Sequence, residues 1–141
     1  MKYRLTEETL ELDGITLHRI EAVESFGLVK AGEKGGWIEK ELNLSQSGDA
    51  WVSGDAWVSG DAWVSGDADY IVFKNFWSSG RYFTWTRSND MWKVGCFYGS
   101  GEELTEKAYG ESEESGRYYE AFVKFVETLK VIKKGDEECR R

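Results

Sequence analysis

The stretch from Ser47 to Val64 reads Ser-Gly-Asp-Ala-Trp-Val three times without a change, and a fourth copy breaks off after Ala68. We call the three complete units the first, second and third hexads. A period of six residues is too short for helical repeats. Within each hexad, Ala-Trp-Val suits a short strand with Ala and Val on one side and Trp on the other. Ser-Gly-Asp suits a corner, because Gly and Asp tolerate turn dihedrals.

Counted from each valine, the repeat places an aliphatic residue at i and a small residue at i+4, as in Val52 and Ala56. This spacing resembles the hexapeptide repeat of left-handed parallel β-helices, in which three hexapeptides form one triangular coil around an aliphatic interior. Weaker units with the same spacing begin at Ile38. The resemblance implies a short solenoid of roughly five units between Ile38 and Asp69, a little under two coils.

Such a short solenoid needs neighbours that cover its apolar interior and its open edges. We therefore expect flanking segments to cap both ends, or the protein to be a homo-oligomer. The outward residues of the repeat are Trp51, Trp57 and Trp63. Large exposed indoles mark contact surfaces, so these three are expected under flanking segments, in a subunit interface or against a partner or ligand.

The segment before the repeat contains a hairpin pattern. Leu10-Glu11-Leu12 and Ile15-Thr16-Leu17 alternate around Asp13-Gly14, a dipeptide that favours a tight hairpin turn. We expect this hairpin to cap one end of the solenoid.

The segment after the repeat, residues 70–98, differs from the rest of the chain. It holds ten of the 21 aromatic residues and carries a net charge of +3, whereas the whole chain carries −8. Three strands are predicted, Tyr70–Trp77, Arg81–Arg87 and Met91–Tyr98, with polar turns between them. Their order along the chain indicates an antiparallel meander.

Aromatic rings with nearby cations suit a nucleotide, because bases stack on rings and phosphates pair with guanidinium groups. The alternative is that the rings form a core and the cations lie on a solvated face. The candidate ligand-binding residues on the meander are Trp77, Arg81, Tyr82, Trp85, Arg87, Trp92 and Lys93.

Two helices are predicted at the end of the chain. Ser100 and Glu103 have the spacing of a capping box, and the helix they start is expected to run through Ala108. Ser112 is expected to cap a longer helix that ends near Lys130, with an apolar stripe at helical spacing.

Together these patterns predict an α+β fold. It comprises a short left-handed parallel β-helix of hexapeptide repeats with an N-terminal β-hairpin cap, and a C-terminal antiparallel sheet with two helices. We expect one module at residues 1–69 and a second at 70–141.

The charge limits the partners. An acidic chain is a poor binder of long nucleic acid, and no apolar run is long enough for a membrane span. An acidic helical face can instead block a basic surface on another protein, and Glu113 and Glu114 are the candidates for that contact. Cys96 and Cys139 match no metal spacing and are expected to be free thiols.

The histidine content bears on catalysis. Acyltransferases with the hexapeptide-repeat fold use a histidine base beside the coils, and carbonic anhydrases of this fold bind zinc through three histidines. This chain has one histidine, His18, which precedes the repeat. We therefore predict a protein that is not an enzyme, with no catalytic residue, no metal and no cofactor.

A broader resemblance involves the N-terminal half. The runs 2–6, 17–22, 35–39 and 43–45, followed by hexads containing Trp-Val, resemble small hexapeptide-repeat proteins of bacteriophages and prophages. That resemblance implies a phage accessory protein in the bacterial host cytoplasm that counters host defence. It would inhibit a host protein or sequester a nucleotide signal. A structural homo-oligomerisation module and a degenerate hexapeptide acyltransferase are the alternatives.

Overall fold

A computed structural model of the chain describes residues 1–12, 14–65 and 69–139, with side chains described as far as residue 132. The backbone forms two units, Met1–Tyr98 and Gly99–Arg141. The division of the sequence into modules 1–69 and 70–141 stays a prediction.

The first unit begins with a mixed sheet in the order β1-β2-β3-β4. Its strands are β1 (Tyr3–Leu12), β2 (Ile15–Ala22), β3 (Lys34–Ile38) and β4 (Trp57–Val58). The pairs β1–β2 and β2–β3 are antiparallel, whereas β3–β4 is parallel. A 3₁₀ turn, Glu41–Asn43, lies between β3 and the repeat.

The predicted N-terminal hairpin is confirmed. Leu12 lies opposite Ile15 in the β1–β2 register, and Gly14 adopts a φ of 88° in the turn between them. Asp13, the other turn residue, lies outside the described residues. Pairing continues to Tyr3 opposite Ala22, so the hairpin is longer than the sequence pattern indicated.

The inward side of the hexads forms the core of this unit, as predicted. The three valines are fully buried and the three alanines are at most 2% exposed. They share one cluster with Ile38 and Leu44, which precede the repeat. The buried hexad residues are Ala50, Val52, Ala56, Val58, Ala62 and Val64.

The predicted left-handed parallel β-helix is wrong, although the α+β class is confirmed. Among the described residues, the hexads do not form a parallel β-helix. Their parallel pairing is limited to β3–β4 and one isolated bridge between Leu44 and Val64. One reason is local: half of each hexad turns, with Gly48, Gly54 and Gly60 at positive φ, which leaves three residues at most for a strand.

A second reason is that the meander side chains occupy the hydrogen-bonding edge of the hexads. Another coil would offer backbone carbonyls to the amides along this edge. Side-chain oxygens of the meander accept those hydrogen bonds instead, at 3.1, 3.1 and 2.7 Å respectively. The pairs are Ser53 N–H with the Tyr70 hydroxyl, Trp57 N–H with Thr84 Oγ1, and Trp63 N–H with Ser88 Oγ. The edge is therefore satisfied without a further strand.

The meander is a second four-stranded sheet in the order β5-β6-β7-β8. The strands are β5 (Tyr70–Lys74), β6 (Tyr82–Thr86), β7 (Met91–Val94) and β8 (Phe97–Gly99). The first two predicted strands are shorter than expected. The third is split, because Gly95 adopts a φ of 55° and turns the chain between β7 and β8.

The second unit consists of α1 (Gly101–Glu111) and α2 (Glu113–Cys139). The predicted capping box at Ser100 is confirmed, since its hydroxyl accepts from the Glu103 N–H at 3.1 Å. The helix α2 runs beyond its predicted end. In the described part of the chain, neither helix is long and apolar enough to cross a membrane.

Candidate functional site

A cleft of about 430 Å³ lies in the first unit, beside the Ser59-Gly60-Asp61 corner that opens the third hexad. We call it the corner cleft. The hairpin tip, the residues after β3, the corner, and the strands β7 and β8 with the turn between them all contribute to its lining. Lining residues from these four parts include Leu12, Ile15, Lys40, Gly60, Lys93 and Tyr98.

Gly60 is the closest point between the hexads and the meander at this cleft. It has a φ of 64°, and a Cβ on it would lie 2.5 Å from the Tyr98 hydroxyl oxygen. Its backbone N–H donates to Glu39 Oε1 at 2.8 Å. At the preceding corner, a Cβ on Gly54 would meet no atom within 4 Å. Identical corners therefore have different surroundings, and only one of these two contacts the meander so closely.

The charged residues of the cleft lining are Lys40, Lys93 and Glu39, which gives the lining a formal charge of +1. Lys93 is buried, at 3% exposure, and Lys40 is exposed. The Glu39 carboxylate accepts the Gly60 N–H, so one of its oxygens is engaged by the corner itself. The lining is thus less acidic than the chain as a whole, which carries −8, although the Asp61 carboxylate of the same corner also acts on Tyr98.

The Tyr98 hydroxyl is held in a hydrogen-bond network. It accepts from Asn89 Nδ2 at 2.6 Å and donates to the Ser59 carbonyl at 3.4 Å. Burial raises the pKa of Tyr98, and the Asp61 and Glu39 carboxylates raise it further, against hydrogen bonds that lower it. Tyr98 is therefore neutral at physiological pH and keeps its proton to donate.

The remaining lining residues supply apolar surface and a thiol. Leu12 and Ile15 flank the hairpin turn and are half-buried. Cys96, in the turn after β7, is a free and exposed cysteine. Within the described residues, no group of three or more His, Cys, Asp or Glu residues is placed to hold a metal ion.

Two predicted ligand-binding residues, Trp85 and Trp92, are buried at 3% and 1% exposure. They are cross-strand neighbours in the β6–β7 register. Trp92 also stacks on Phe73 at a centroid distance of 5.8 Å, and Trp85 Nε1 donates to Asp90 Oδ1 at 2.8 Å. Their ring faces are thus part of the interior and are not presented to solvent.

The other predicted meander residues are dispersed. Arg87 binds Asp69 through Nε and Nη2, at 3.1 and 2.9 Å. Trp77 packs edge-on against Phe83. Arg81 and Tyr82 are exposed. Lys93 is the one member of the predicted set in the corner cleft lining, and the role of the whole set stays a prediction.

The repeat tryptophans and the two helical glutamates also stay predictions as contact residues. Trp51 is 8% exposed, Trp57 is half-buried and Trp63 is 51% exposed. Glu113 and Glu114 are exposed and line one concave surface at the start of α2, which encloses a volume of about 600 Å³.

Sequence reasoning missed the corner cleft. The motif of its corner also occurs at the two other described corners, so nothing local distinguishes Gly60. The approach of Tyr98 to that corner depends on the turn at Gly95, where the sequence predicted one continuous strand. The glycine in the run Val94-Gly95-Cys96-Phe97 was the available signal for that turn.

Comparison with known proteins gives a partial similarity. No protein-family model matches the chain. A curated protein of Escherichia coli K12, described as the uncharacterized acetyltransferase YdcK, is 41% identical over 59 residues. The match covers 36% of this chain and only 18% of that protein. It fits loosely with the resemblance to hexapeptide-repeat proteins, a class that contains acyltransferases, and gives no support to a phage origin.

This similarity corrects the prediction that the protein is not an enzyme. The prediction depended on the lack of a histidine near the repeat. A relative described as an acetyltransferase points instead toward enzymatic activity, over a limited part of the chain.

Proposed function

We propose that the protein binds a small phosphorylated ligand of the nucleotide type in the corner cleft. The observation that carries this proposal is that Lys40, the buried Lys93 and Tyr98 all line one cleft in an otherwise acidic chain. The volume of about 430 Å³ falls within the range of roughly 300–1,000 Å³ that is usual for small-molecule sites.

Two kinds of ligand share this chemistry. One is a free nucleotide, which agrees with the function of nucleotide sequestration predicted from the sequence. The other is an acyl carrier that contains a nucleotide, such as acetyl-coenzyme A, which agrees with the similarity to an acetyltransferase. Both present phosphate oxygens, which lysines and a phenolic hydroxyl can bind.

The exposed thiol of Cys96 provides a direct assay, because it is part of the cleft lining. In a Cys139→Ser protein, Cys96 is the single cysteine, and its alkylation rate reports occupation of the cleft. AMP and acetyl-coenzyme A are expected to slow alkylation, whereas adenosine, which lacks phosphate, is not. Equal alkylation rates with and without AMP, inorganic phosphate and acetyl-coenzyme A would contradict the proposal.

A matched pair of variants tests the position of the ligand. Lys40→Gln is expected to weaken protection, and Lys30→Gln, an exposed lysine outside the cleft, is expected to leave it unchanged. If both variants weaken protection equally, the effect comes from overall charge and not from the cleft. Mass spectrometry of the protein after incubation with acetyl-coenzyme A also tests for acetyl transfer to the protein itself.

The concave surface at the start of α2 supports a second candidate function, binding of a basic host protein. Glu113 and Glu114 lie on it together with Arg117. A partner recovered from a bacterial lysate should be lost with Glu113→Lys/Glu114→Lys and retained with the control Glu24→Lys/Glu33→Lys, two exposed glutamates of the first unit. A partner that both double variants retain or both lose would not use this surface.

A further inference from the structure

The hydrogen bond from Asn89 to the Tyr98 oxygen restricts where the phenolic proton can point. Thr86 Oγ1 donates to Asn89 Oδ1 at 2.7 Å, which directs Asn89 Nδ2 toward the Tyr98 oxygen at 2.6 Å. A phenolic hydroxyl has a single proton to donate and can also accept. Because Asn89 Nδ2 occupies the acceptor side of the oxygen, the phenolic proton points away from Asn89, toward the Ser59 carbonyl or an oxygen that competes with it.

The acceptor that this donor has within the protein is distant. The Ser59 carbonyl lies 3.4 Å away, whereas O–H···O hydrogen bonds are usually about 2.7–2.8 Å long. The hydroxyl lies next to Gly60, which is part of the cleft lining, so a ligand oxygen in the cleft can compete for its proton. An anionic oxygen would accept a stronger hydrogen bond than the distant carbonyl.

We infer that the Tyr98 hydroxyl is a ligand-binding donor, oriented by Asn89 toward an anionic oxygen in the corner cleft. The inference depends on the proposed function, because it assigns one contact of the same ligand. It adds a specificity that the lysines alone do not provide. A lysine ammonium group attracts any nearby anion, whereas an oriented hydroxyl donor requires an acceptor oxygen at one position.

Tyr98→Phe is the appropriate variant, because it removes the hydroxyl and keeps the ring that packs against the Gly60 corner. The matched control is Tyr70→Phe, which removes a hydroxyl that accepts from the Ser53 N–H elsewhere along the hexads. Both variants lose one hydroxyl between meander and hexads, but only Tyr98 is part of the cleft lining. A general loosening of the meander should therefore affect both variants similarly.

The experiment uses the Cys139→Ser protein and protection of Cys96 by AMP. Tyr98→Phe is expected to raise the AMP concentration for half-protection roughly tenfold or more, the effect of losing a hydrogen bond to a charged group. Tyr70→Phe is expected to change it less than about twofold. Equal half-protection in the parent and Tyr98→Phe would overturn the inference while leaving the proposed function intact. If AMP does not protect the parent protein, the proposed function itself fails.

A pH series separates the donor from a structural role. The groups that face the Tyr98 hydroxyl are Asn89, Asp61 and Glu39, and the cleft also contains Lys40, Lys93 and Cys96. The parent should bind AMP more tightly than Tyr98→Phe while Tyr98 is protonated, and this advantage should vanish as the phenol ionises at high pH. Titration of the lysines affects both proteins, so the ratio of their affinities isolates Tyr98. A ratio that stays constant through the ionisation would contradict a donor role.

Discussion

The first and third hexads have the same sequence and different surroundings. Their inward residues are alike, since Val52 and Val64 are both fully buried. Their outward residues are not: Trp51 is 8% exposed and Trp63 is 51% exposed. The repeat therefore determines which side of the chain enters the core. The flanking segments determine whether the other side is covered or exposed.

The covering of Trp51 comes from the segment before the repeat. Phe26 packs edge-on against its ring with centroids 5.4 Å apart, and Gly35 lies close to Trp51 Cζ2. Lys2 fixes the backbone of the same hexad, because its Nζ donates to the Ala50 carbonyl at 2.6 Å. The meander contacts the third hexad instead, and does so through its backbone at Trp63 N–H, which leaves the indole exposed.

Truncation of the two tryptophans should give the largest difference between the hexads. Trp51→Ala should lower the free energy of unfolding by about 3–5 kcal/mol, the usual cost of removing a buried tryptophan. Trp63→Ala should change it by less than about 1 kcal/mol, because half of that side chain is already exposed. Urea unfolding monitored by circular dichroism measures both values. Equal destabilisation would show that the two indoles have equivalent surroundings in solution.

Gly35→Ala tests how closely the N-terminal segment contacts the first hexad. A Cβ at Gly35 would lie 2.5 Å from the Val52 carbonyl oxygen and 2.8 Å from Ile20 Cγ1. Overpacking of this kind usually costs about 1–3 kcal/mol. Gly110→Ala is the control, since a Cβ there meets no atom within 4 Å and alanine favours the helix. In thermal unfolding, the melting temperature of Gly35→Ala should be lower than that of the wild type, and that of Gly110→Ala should be equal to it or higher.

Asp69 connects Ser65, the residue after the third hexad, to Arg87 of the meander, and should make this junction sensitive to acid. Burial alone would raise its pKa, but hydrogen bonds from Ser65 and Arg87 outweigh burial and hold the pKa below its ordinary value of 3.8. The stabilisation is therefore complete above about pH 5 and is lost as the pH falls through the lowered pKa.

Asp69→Asn should remove this pH dependence as well as the ion pair to Arg87 at 2.9 Å. At neutral pH the variant should be less stable by roughly 1–3 kcal/mol, as for other impaired buried hydrogen bonds. Between pH 5 and pH 2 its unfolding free energy should fall less steeply than that of the wild type. Parallel curves for the two proteins would mean that Asp69 has the same pKa in the folded and unfolded states.

The sequence alone predicted the features that depend on residues close together in the chain. The turn at Gly14, the capping box at Ser100 and the inward valines of the hexads all follow from local rules. It was insufficient where a distant segment competes with the repeat. The hydroxyls of Tyr70 and Thr84 accept the hydrogen bonds that carbonyls of another coil would accept. No pattern in the hexads themselves indicates that these hydroxyls will be the acceptors.

The same limit explains why the candidate site was not predicted. The residues that meet at the corner cleft are distant in sequence, as Lys40 and Tyr98 illustrate. The predicted aromatic set lay on strands, where alternation placed Trp85 and Trp92 on an interior face. Composition singled out a segment rich in rings and cations, but the register of the strands decided which of its side chains enter the core.

The corners allow the finest comparison, because the second and third hexads begin with the same Ser-Gly-Asp. Alanine at Gly54 and at Gly60 would meet similar backbone strain, since the two φ values are 56° and 64°. Only at Gly60 would the new methyl group meet the Tyr98 ring, so Gly60→Ala should be less stable than Gly54→Ala by about 1 kcal/mol or more. Gly60→Ala should also weaken protection of Cys96 by AMP, because it displaces the Tyr98 hydroxyl. Equal stability of the two variants would place Tyr98 away from the corner and would remove the basis for a ligand contact there.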